Sequence, residues 1–352
     1  MDRILIPIIA LVAAWILGAV FTKMLIPFLE KKQFRQFVRE EGPKSHLSKT
    51  GTPSMGGIAI VFATILSAVM VSVTVAGKSS DYKSLIAVLV VMVLFGLIGF
   101  IDDYEKAIKK NNDGISPKQK IVLQFVFSAA FAVFAYFNTG FAAIGGSFVW
   151  IPFADVYLDF GILYIPFIIF VMIAFSNAVN LTDGLDGLAS GVTALVSFCM
   201  VILGIYNFPN FITEPVIYGA LSGACLGFLM FNKNPAKIFM GDTGATFLGY
   251  ILATLSVTGL FKMYAIISFA VPFLILGVPI FDICFAFLRR IAKGQNPMKA
   301  DRGHVHHRLI DMGFSQKQAV AISYMLAAIL GLAAVLLTSS GELKALILIG
   351  TI

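Results

Sequence analysis

Apolar runs long enough to cross a lipid bilayer recur along the whole chain, and this feature constrains the fold more than any other. A transmembrane helix needs about 20 mostly apolar residues. Such runs lie near residues 4–28, 55–75, 84–101, 119–137, 161–179, 188–206, 215–231, 244–261, 264–288 and 318–338. The chain is 59% hydrophobic and only 13% charged, too few charges to cover a water-soluble protein of 352 residues. We therefore predict an all-α polytopic membrane protein, one integral membrane domain over residues 1–352 with about ten transmembrane helices.

The N-terminal run, residues 1–21, resembles a signal peptide in composition. Its apolar stretch is too long, however, and no clear small-residue cleavage site follows it. We therefore expect this run to be retained as the first helix.

The basic residues are distributed unevenly between the connections, and this predicts the orientation. Most of the chain's 26 Lys and Arg residues lie in connections that follow odd-numbered runs. Under the positive-inside rule these connections face the cytoplasm, so both termini are predicted to lie outside. The net charge of +7 therefore reflects topology as well as anionic partners. The chain has no basic-aromatic module of the kind that binds nucleic acid, so no such partner is expected.

The odd-numbered connections also contain nearly every unusual polar cluster. These clusters lie at residues 40–57, 99–124, 177–191, 231–249 and 289–309. The outer connections offer little beyond residues 138–161, which are predicted to form a short hairpin or an interfacial element. Acids, lysines and histidines thus converge on one face of the membrane, and this predicts an active site that faces the cytoplasm.

Two adjacent acids, Asp102 and Asp103, follow directly on the third apolar run in "GFIDDYEK". They could simply mark the membrane boundary. Two like charges at the edge of a low-dielectric region repel each other, however, and such a pair suits a metal ion or a proton.

Asp242 lies in "MGDTG", just before the eighth run. One interpretation is a helix N-cap, a position where Asp is preferred. Capping is compatible with chemistry, because Gly241 and Gly244 would let backbone N–H groups approach a phosphate while the carboxylate holds a divalent cation.

The segment "NAVNLTDGLDGLASG" places Asn180, Asp183 and Asp186 at intervals of three residues, with glycines between them. At helical spacing these side chains would fall along one broad side, and the glycines would permit close backbone approach. The alternative is a capped turn between helices, which needs one acid rather than two acids and an asparagine.

Three of the chain's four histidines, His304, His306 and His307, lie within four positions, beside Arg302 and Arg308. The cluster is typical of phosphate recognition, metal binding or proton transfer. A zinc site would need further ligands, and no cysteine or other ligand pair has the spacing to supply them. The neighbouring arginines favour an anionic ligand.

Hard oxygen ligands together with clustered Lys and His side chains are typical of magnesium-assisted phosphoryl transfer. The motifs "GTPSMGG", "GFIDDYEK", "NLTDGLDGLASG" and "FMGDTG" occur in this order and on one predicted face. With them the chain resembles, over almost its entire length, the polyprenyl-phosphate N-acetylhexosamine-1-phosphate transferase superfamily. Residues 48–57 and 102–120 are similar to the branch that transfers phospho-MurNAc-pentapeptide, whereas residues 301–313 are similar to the sister branch that transfers GlcNAc-1-phosphate.

The resemblance implies ten transmembrane helices with both termini outside, a homodimer, and a place in the bacterial cytoplasmic membrane. It implies magnesium-dependent transfer of phospho-MurNAc-pentapeptide from UDP-MurNAc-pentapeptide to undecaprenyl phosphate, with lipid I and UMP as products. Nucleoside-type inhibitors would compete at the same pocket. The alternative is transfer of GlcNAc-1-phosphate from UDP-GlcNAc to the same lipid. A secondary transporter is disfavoured, because its coupling residues would lie near the bilayer midplane rather than at one set of helix ends.

The resemblance also implies roles for matching residues of this sequence. The catalytic residues would be Asp102, Asp103, Asp242, His306 and His307, with Asp242 as the magnesium ligand. The substrate-binding residues would be Lys49, Ser54, Lys106, Lys120, Asn180, Asp183, Gly184, Leu185, Asp186, Phe239, His304 and Arg308. Among these, residues 180–186 would line the nucleotide pocket, Lys49 and Phe239 would hold the uracil, and Lys106 and Lys120 would attract the lipid phosphate.

The role of Asp103 stays open between two interpretations. It would be either a covalent nucleophile, or a positioning residue and base in a direct attack by the lipid phosphate.

Overall fold

The computed structural model describes residues 4–34, 51–76, 82–109, 114–137, 147–151, 156–207, 212–257 and 309–340. Within these ranges the helices are α1 Leu5–Lys31, α2 Gly57–Val71, α3 Tyr82–Lys109, α4 Pro117–Phe137, α5 Tyr164–Thr182, α6 Leu188–Asn207, α7 Thr213–Asn232, α8 Gly241–Val257 and α9 Gln316–Ser340. A π-helical turn, Ser72–Ala76, extends α2, and a 3₁₀ turn, Gly161–Leu163, precedes α5. The strands are β1 Phe148–Ile151 and β2 Val156–Asp159.

The predicted all-α polytopic membrane architecture is confirmed. Eight of the described helical segments are long and apolar enough to cross a membrane, and each coincides with one of the predicted runs. α8 coincides with the predicted run 244–261 but has 17 described residues, and the predicted run 264–288 lies outside the described residues. The full number of spans and their orientation therefore stay predictions.

A hairpin occupies the connection that precedes α5. β1 pairs antiparallel with β2, with Phe148 opposite Asp159 and Ile151 opposite Val156. The hairpin that the sequence predicts at residues 138–161 is therefore confirmed for the part of this connection that the structure describes.

α1 and α7 pack closely because α7 presents small residues at the contact. Gly219, Gly223 and Gly227 repeat at intervals of four and face the backbone of α1. A Cβ atom at Gly223 would lie 1.9 Å from the carbonyl oxygen of Leu11, closer than two such atoms can approach. In a bilayer, where lipid tails are as apolar as leucine, such small-residue contacts gain close van der Waals packing between helices.

α8 lies at the centre of the described bundle, against α3 and α5. Tyr250 of α8 is fully buried and stacks on Phe95 of α3, with ring centroids 4.4 Å apart. Residues near the end of α3, the start of α4 and the end of α5 all contact the first turn of α8. Helix ends that are far apart in sequence thus meet at one end of the bundle.

Backbone hydrogen bonds join the segment before α2 to the segment before α8. The Phe239 N–H donates to the Pro53 carbonyl oxygen, and the Gly56 N–H donates to the Phe239 carbonyl oxygen, both at 2.8 Å. A Cβ atom at Gly57 would lie 2.1 Å from the backbone nitrogen of Gly244, so this contact requires glycine. The motifs "GTPSMGG" and "FMGDTG", nearly 190 positions apart, therefore lie side by side.

Candidate active site

Three carboxylates converge where the end of α3 meets the start of α8. Asp102, Asp103 and Asp242 each offer an oxygen, and the three oxygens lie within 4.8 Å of one another. Asp102 and Asp103 are buried, and Asp242 is half-buried. Carboxylate oxygens are the donors that magnesium prefers, so this donor set fits a magnesium ion. Asp242, the half-buried member of the three, is the residue that would hold it.

Asp103 is engaged with the first turn of α8. One of its oxygens accepts a hydrogen bond from the backbone N–H of Asp242 at 3.0 Å. The other accepts from the backbone N–H of Thr243 at 2.9 Å and from the Thr243 hydroxyl at 2.6 Å. Its whole carboxylate thus faces the start of α8.

Asp102 faces a lysine and the connection between α3 and α4. Its Oδ2 lies 2.6 Å from the Lys106 Nζ, one turn further along α3. Its Oδ1 accepts a hydrogen bond from the backbone N–H of Ile115 at 2.8 Å. A Cβ atom at Gly114 would lie 2.1 Å from this Oδ1, so the glycine allows the connection to close over the carboxylate.

Asp242 receives one hydrogen bond from an asparagine and two from lysines. The Asn180 Nδ2 donates to Oδ1 at 2.7 Å, while Lys106 and Lys120 donate to Oδ2 at 2.9 and 2.8 Å. Burial acts to raise the pKa of Asp242, but the positive charges of Lys120 and Lys106 outweigh it and hold this pKa well below its usual range. Asp242 is therefore a carboxylate at neutral pH, as a metal ligand must be.

The carboxylates can neutralise a cation, and the two lysines beside them can neutralise an anion. Lys106 and Lys120 both lie within 3 Å of one Asp242 oxygen, and Lys120 is 14% exposed. A divalent ion at the carboxylates would release these ammonium groups from their partners and leave them for an anionic ligand. The arrangement thus suits chemistry between phosphate groups.

The segment after α5 does not continue as a helix. α5 ends at Thr182, and residues 183–187 form turns, with Gly187 at a φ of +81°. The expectation that Asn180, Asp183 and Asp186 line one helical side is therefore wrong, because the chain turns between the first residue and the other two. Asn180 points to Asp242, and Asp183 is half-buried just past the helix end.

Asp186 binds the connection between α7 and α8. It is 5% exposed, and its Oδ2 accepts hydrogen bonds from the Asn234 side chain at 2.9 Å and from the Ala236 N–H at 3.2 Å. The same connection carries Phe239, which is half-buried. In these contacts Asp186 fixes the connection from which Phe239 extends. Its predicted contact with a nucleotide stays a prediction.

The remaining predicted residues fall into two groups. Ser54, Gly184 and Leu185 are described: the Ser54 N–H donates to the Phe34 carbonyl oxygen at 3.0 Å, Gly184 is half-buried, and Leu185 lies in the apolar core. The others, Lys49, His304, His306, His307 and Arg308, lie outside the described residues. Their predicted roles stay predictions.

Sequence reasoning missed three residues at or beneath the site. Thr243 donates two hydrogen bonds to Asp103, whereas the sequence pattern indicated only its neighbours in "MGDTG". Gln124 of α4 accepts a hydrogen bond from Asn177 of α5 at 2.9 Å, one turn below Lys120 and Asn180. The available signal was the presence of amide side chains inside two apolar runs, where polar groups are costly and usually paired.

The sequence of this chain is similar to those of known proteins. The sequence model of glycosyl transferase family 4 matches residues 85–260. The phospho-N-acetylmuramoyl-pentapeptide-transferase of Shouchella clausii is 40% identical over 258 residues, 73% of this chain and 76% of that protein. The enzyme of the same name from Oceanobacillus iheyensis is 35% identical over 323 residues, 90% of this chain and 93% of that protein. The one from Clostridium perfringens strain 13 is 37% identical over 319 residues, 90% of this chain and 93% of that protein.

Proposed function

This chain belongs to the family of phospho-N-acetylmuramoyl-pentapeptide transferases, and we propose that it transfers phospho-MurNAc-pentapeptide from UDP-MurNAc-pentapeptide to undecaprenyl phosphate. The products are lipid I and UMP, and the reaction requires magnesium. The observation that carries the proposal is the convergence of three carboxylates and two lysines at one end of the helices. A transfer between two phosphate groups requires carboxylates that bind a divalent ion and cationic side chains that neutralise the phosphates.

The charges of the reactants set the problem that the site must solve. A lipid monophosphate has its second pKa at about 6, so it is mostly ionised at neutral pH and needs little help from a general base. Bringing it against a negatively charged diphosphate is the harder step. Lys106 and Lys120, at one edge of the carboxylate cluster, are placed to offset that repulsion. A magnesium ion held by Asp242 would supply further neutralisation of the phosphate charges.

The location of the site suits a lipid substrate. Asp102 and Asp103 lie near the end of an apolar helix, where a membrane helix meets water. The phosphate of a polyprenyl phosphate lies at the same level, since its chain is held in the hydrocarbon. We place the cluster on the cytoplasmic face of the bacterial inner membrane, with both termini outside, and we expect a homodimer that nucleoside-type inhibitors block at the nucleotide pocket.

UMP release from purified protein tests the proposal. The full chain in detergent is given UDP-MurNAc-pentapeptide, undecaprenyl phosphate and Mg²⁺, and each component is omitted in turn. We expect UMP only when all three are present, and we expect EDTA to abolish its release. No UMP release by folded protein under the complete conditions would overturn the proposal.

A parallel reaction with UDP-GlcNAc distinguishes the two transferase branches. We expect the MurNAc-pentapeptide donor to react and UDP-GlcNAc to give no UMP above the level without lipid. Reaction with UDP-GlcNAc alone would assign the chain to the sister branch instead.

A further inference from the structure

Asp103 supplies the N-terminal cap of α8 from a different helix. The first N–H groups of a helix have no partners within it, and the side chain of the residue before the helix usually satisfies one of them. Here that residue is Met240, which offers no oxygen. The two carboxylate oxygens of Asp103 instead accept from the N–H groups of Asp242 and Thr243.

The backbone at the start of α8 is shaped for this contact. Gly241 has a φ of +74°, in the left-handed region that favours glycine. A Cβ atom there would lie 2.5 Å from an Asp103 carboxylate oxygen. Any side chain at residue 241 would therefore push Asp103 away from the N–H groups that it accepts from.

The contact also determines the direction of Asp242. The N–H that donates to Asp103 belongs to Asp242 itself, so the cap fixes the backbone that carries the metal-binding carboxylate. The Asp242 side chain leaves that backbone toward Asn180 and the two lysines. The carboxylates of Asp103 and Asp242 thus lie side by side with different partners.

The same hydrogen bonds make Asp103 a poor nucleophile. One of its oxygens accepts two donors at 2.9 and 2.6 Å, and the other accepts one at 3.0 Å. Each donor stabilises the negative charge of the carboxylate, and this makes its oxygens less nucleophilic toward phosphorus. An attacking oxygen would have to leave these donors, and the start of α8 would lose its cap.

We propose that Asp103 is a positioning residue that, together with Thr243, caps α8 and holds Asp242 toward the bound cation and the phosphates, and that it is not the group that attacks phosphorus. This inference rests on the proposed function for its reaction. Its consequence for metal binding can be measured even if the protein shows no turnover.

Binding of Mn²⁺ to the full chain in detergent, followed by electron paramagnetic resonance without substrates, tests the positioning role. We expect Asp103→Asn to weaken Mn²⁺ affinity about 10- to 100-fold, as the loss of partners that orient a metal ligand does. Thr243→Val removes one of the three hydrogen bonds and should weaken affinity about 3- to 10-fold. Thr243→Ser keeps the hydroxyl and should restore the wild-type affinity.

A matched control comes from another buried threonine hydroxyl. Thr22 of α1 donates to the Gly18 carbonyl oxygen at 2.6 Å, away from the carboxylates. Thr22→Val should leave Mn²⁺ affinity unchanged. Amide hydrogen exchange in the peptide containing residues 241–244 gives a second readout, and it should become faster in Asp103→Asn and Thr243→Val but not in Thr22→Val.

The outcomes separate this inference from the proposed function. Wild-type Mn²⁺ affinity and wild-type exchange in Thr243→Val would overturn the positioning role, even if Asp103→Asn fails to fold. An Asp103 that carries the phospho-MurNAc-pentapeptide group, recovered from quenched wild-type reactions, would overturn it as well. Absence of UMP release by wild-type protein, with the Mn²⁺ effects as expected, would overturn the proposed function and leave the cap in place.

Discussion

Two helix pairs in this molecule approach each other closely, and they differ in the side chains that join them. α1 and α7 meet through the glycines of α7 and backbone carbonyl groups of α1, as at Gly223 and Leu11. α3 and α8 meet through Gly99, where a Cβ atom would lie 2.2 Å from the Asp242 carbonyl oxygen. They also meet through Asp103, whose carboxylate accepts hydrogen bonds from the first turn of α8. The first contact depends on the absence of side chains, and the second adds a charged side chain to a glycine contact.

The difference shows how a membrane protein separates stability from chemistry. Within hydrocarbon, small residues give close packing without leaving a polar group unpaired. At a helix end, free N–H groups and the helix dipole stabilise carboxylates that would be costly deeper in the bilayer. We therefore expect changes at the α1–α7 contact to alter mainly stability and changes at the α3–α8 contact to alter mainly turnover.

The largest effect is expected for Asp242→Asn. An amide in place of this carboxylate weakens the binding of a cation, and the loss of metal assistance should lower kcat for UMP release by at least about 10³-fold. Size-exclusion chromatography should still show folded protein. Asp159→Asn in the hairpin is the matched control and should change turnover little. Near-normal turnover of Asp242→Asn would contradict the metal-binding role.

The next effect is expected for Gly223→Ala, and it should appear in stability. The added methyl group would meet the Leu11 carbonyl oxygen at 1.9 Å, so α1 and α7 must separate. Overpacking of this kind costs about 1–3 kcal/mol, which thermal unfolding in detergent can measure as a lower Tm. Gly96→Ala is the control, because a Cβ atom there meets its nearest neighbour at an ordinary 3.7 Å. Equal Tm values for the two variants would refute the tight contact.

Asn180→Ala should have a smaller effect, confined to turnover. It removes the hydrogen bond from Nδ2 to Asp242 Oδ1, at 2.7 Å, and so frees the orientation of that carboxylate. We expect kcat/KM for UMP release to fall about 10-fold, with little change in Tm. Ser176→Ala lies about one turn earlier on α5 and removes two longer hydrogen bonds, one to the Thr246 carbonyl oxygen at 3.4 Å and one from the Gln124 Nε2 at 3.3 Å, neither of which reaches Asp242. A similar loss in both variants would mean that Asn180 acts only through the packing of α5.

The smallest effect is expected for Ser67→Ala, at a polar contact within the membrane. The Ser67 hydroxyl donates to the Ala10 carbonyl oxygen at 2.7 Å and joins α2 to α1. Hydrogen bonds between membrane helices contribute about 0.6 kcal/mol on average, so Tm should fall slightly and turnover should not change. A change in turnover without a change in Tm would show that this contact is coupled to the site.

Hydropathy predicted the helices well because it is a local property. The predicted run 188–206 corresponds to α6, Leu188–Asn207, with an error of one residue at its end. Burial in hydrocarbon requires each such segment to satisfy its own backbone hydrogen bonds, so an apolar run of sufficient length becomes a helix. The prediction failed after Thr182, where equal spacing of polar residues suggested a helical side and the chain turns instead.

The sequence predicted that the three acids meet, but it did not predict how they are arranged. Asp102, Asp103 and Asp242 were expected to lie together, and an oxygen from each lies within 4.8 Å of the others. The sequence left the role of Asp103 open, because its partner Thr243 lies 140 positions further along the chain. Which oxygen faces which donor depends on how the end of α3 docks against α8.

The sequence alone determined that this chain is embedded in a membrane and which acids gather at one end of its helices. Both results follow from quantities that each segment carries by itself, namely apolar length and the position of charge relative to it. Only the tertiary structure decided that Asp103 caps α8 while Asp242 faces the lysines and Asn180. A hydrogen bond forms only within a narrow range of distances, so small shifts decide which donor each carboxylate accepts from. Those distances depend on how α3 and α8 pack together, and the sequence does not give this packing.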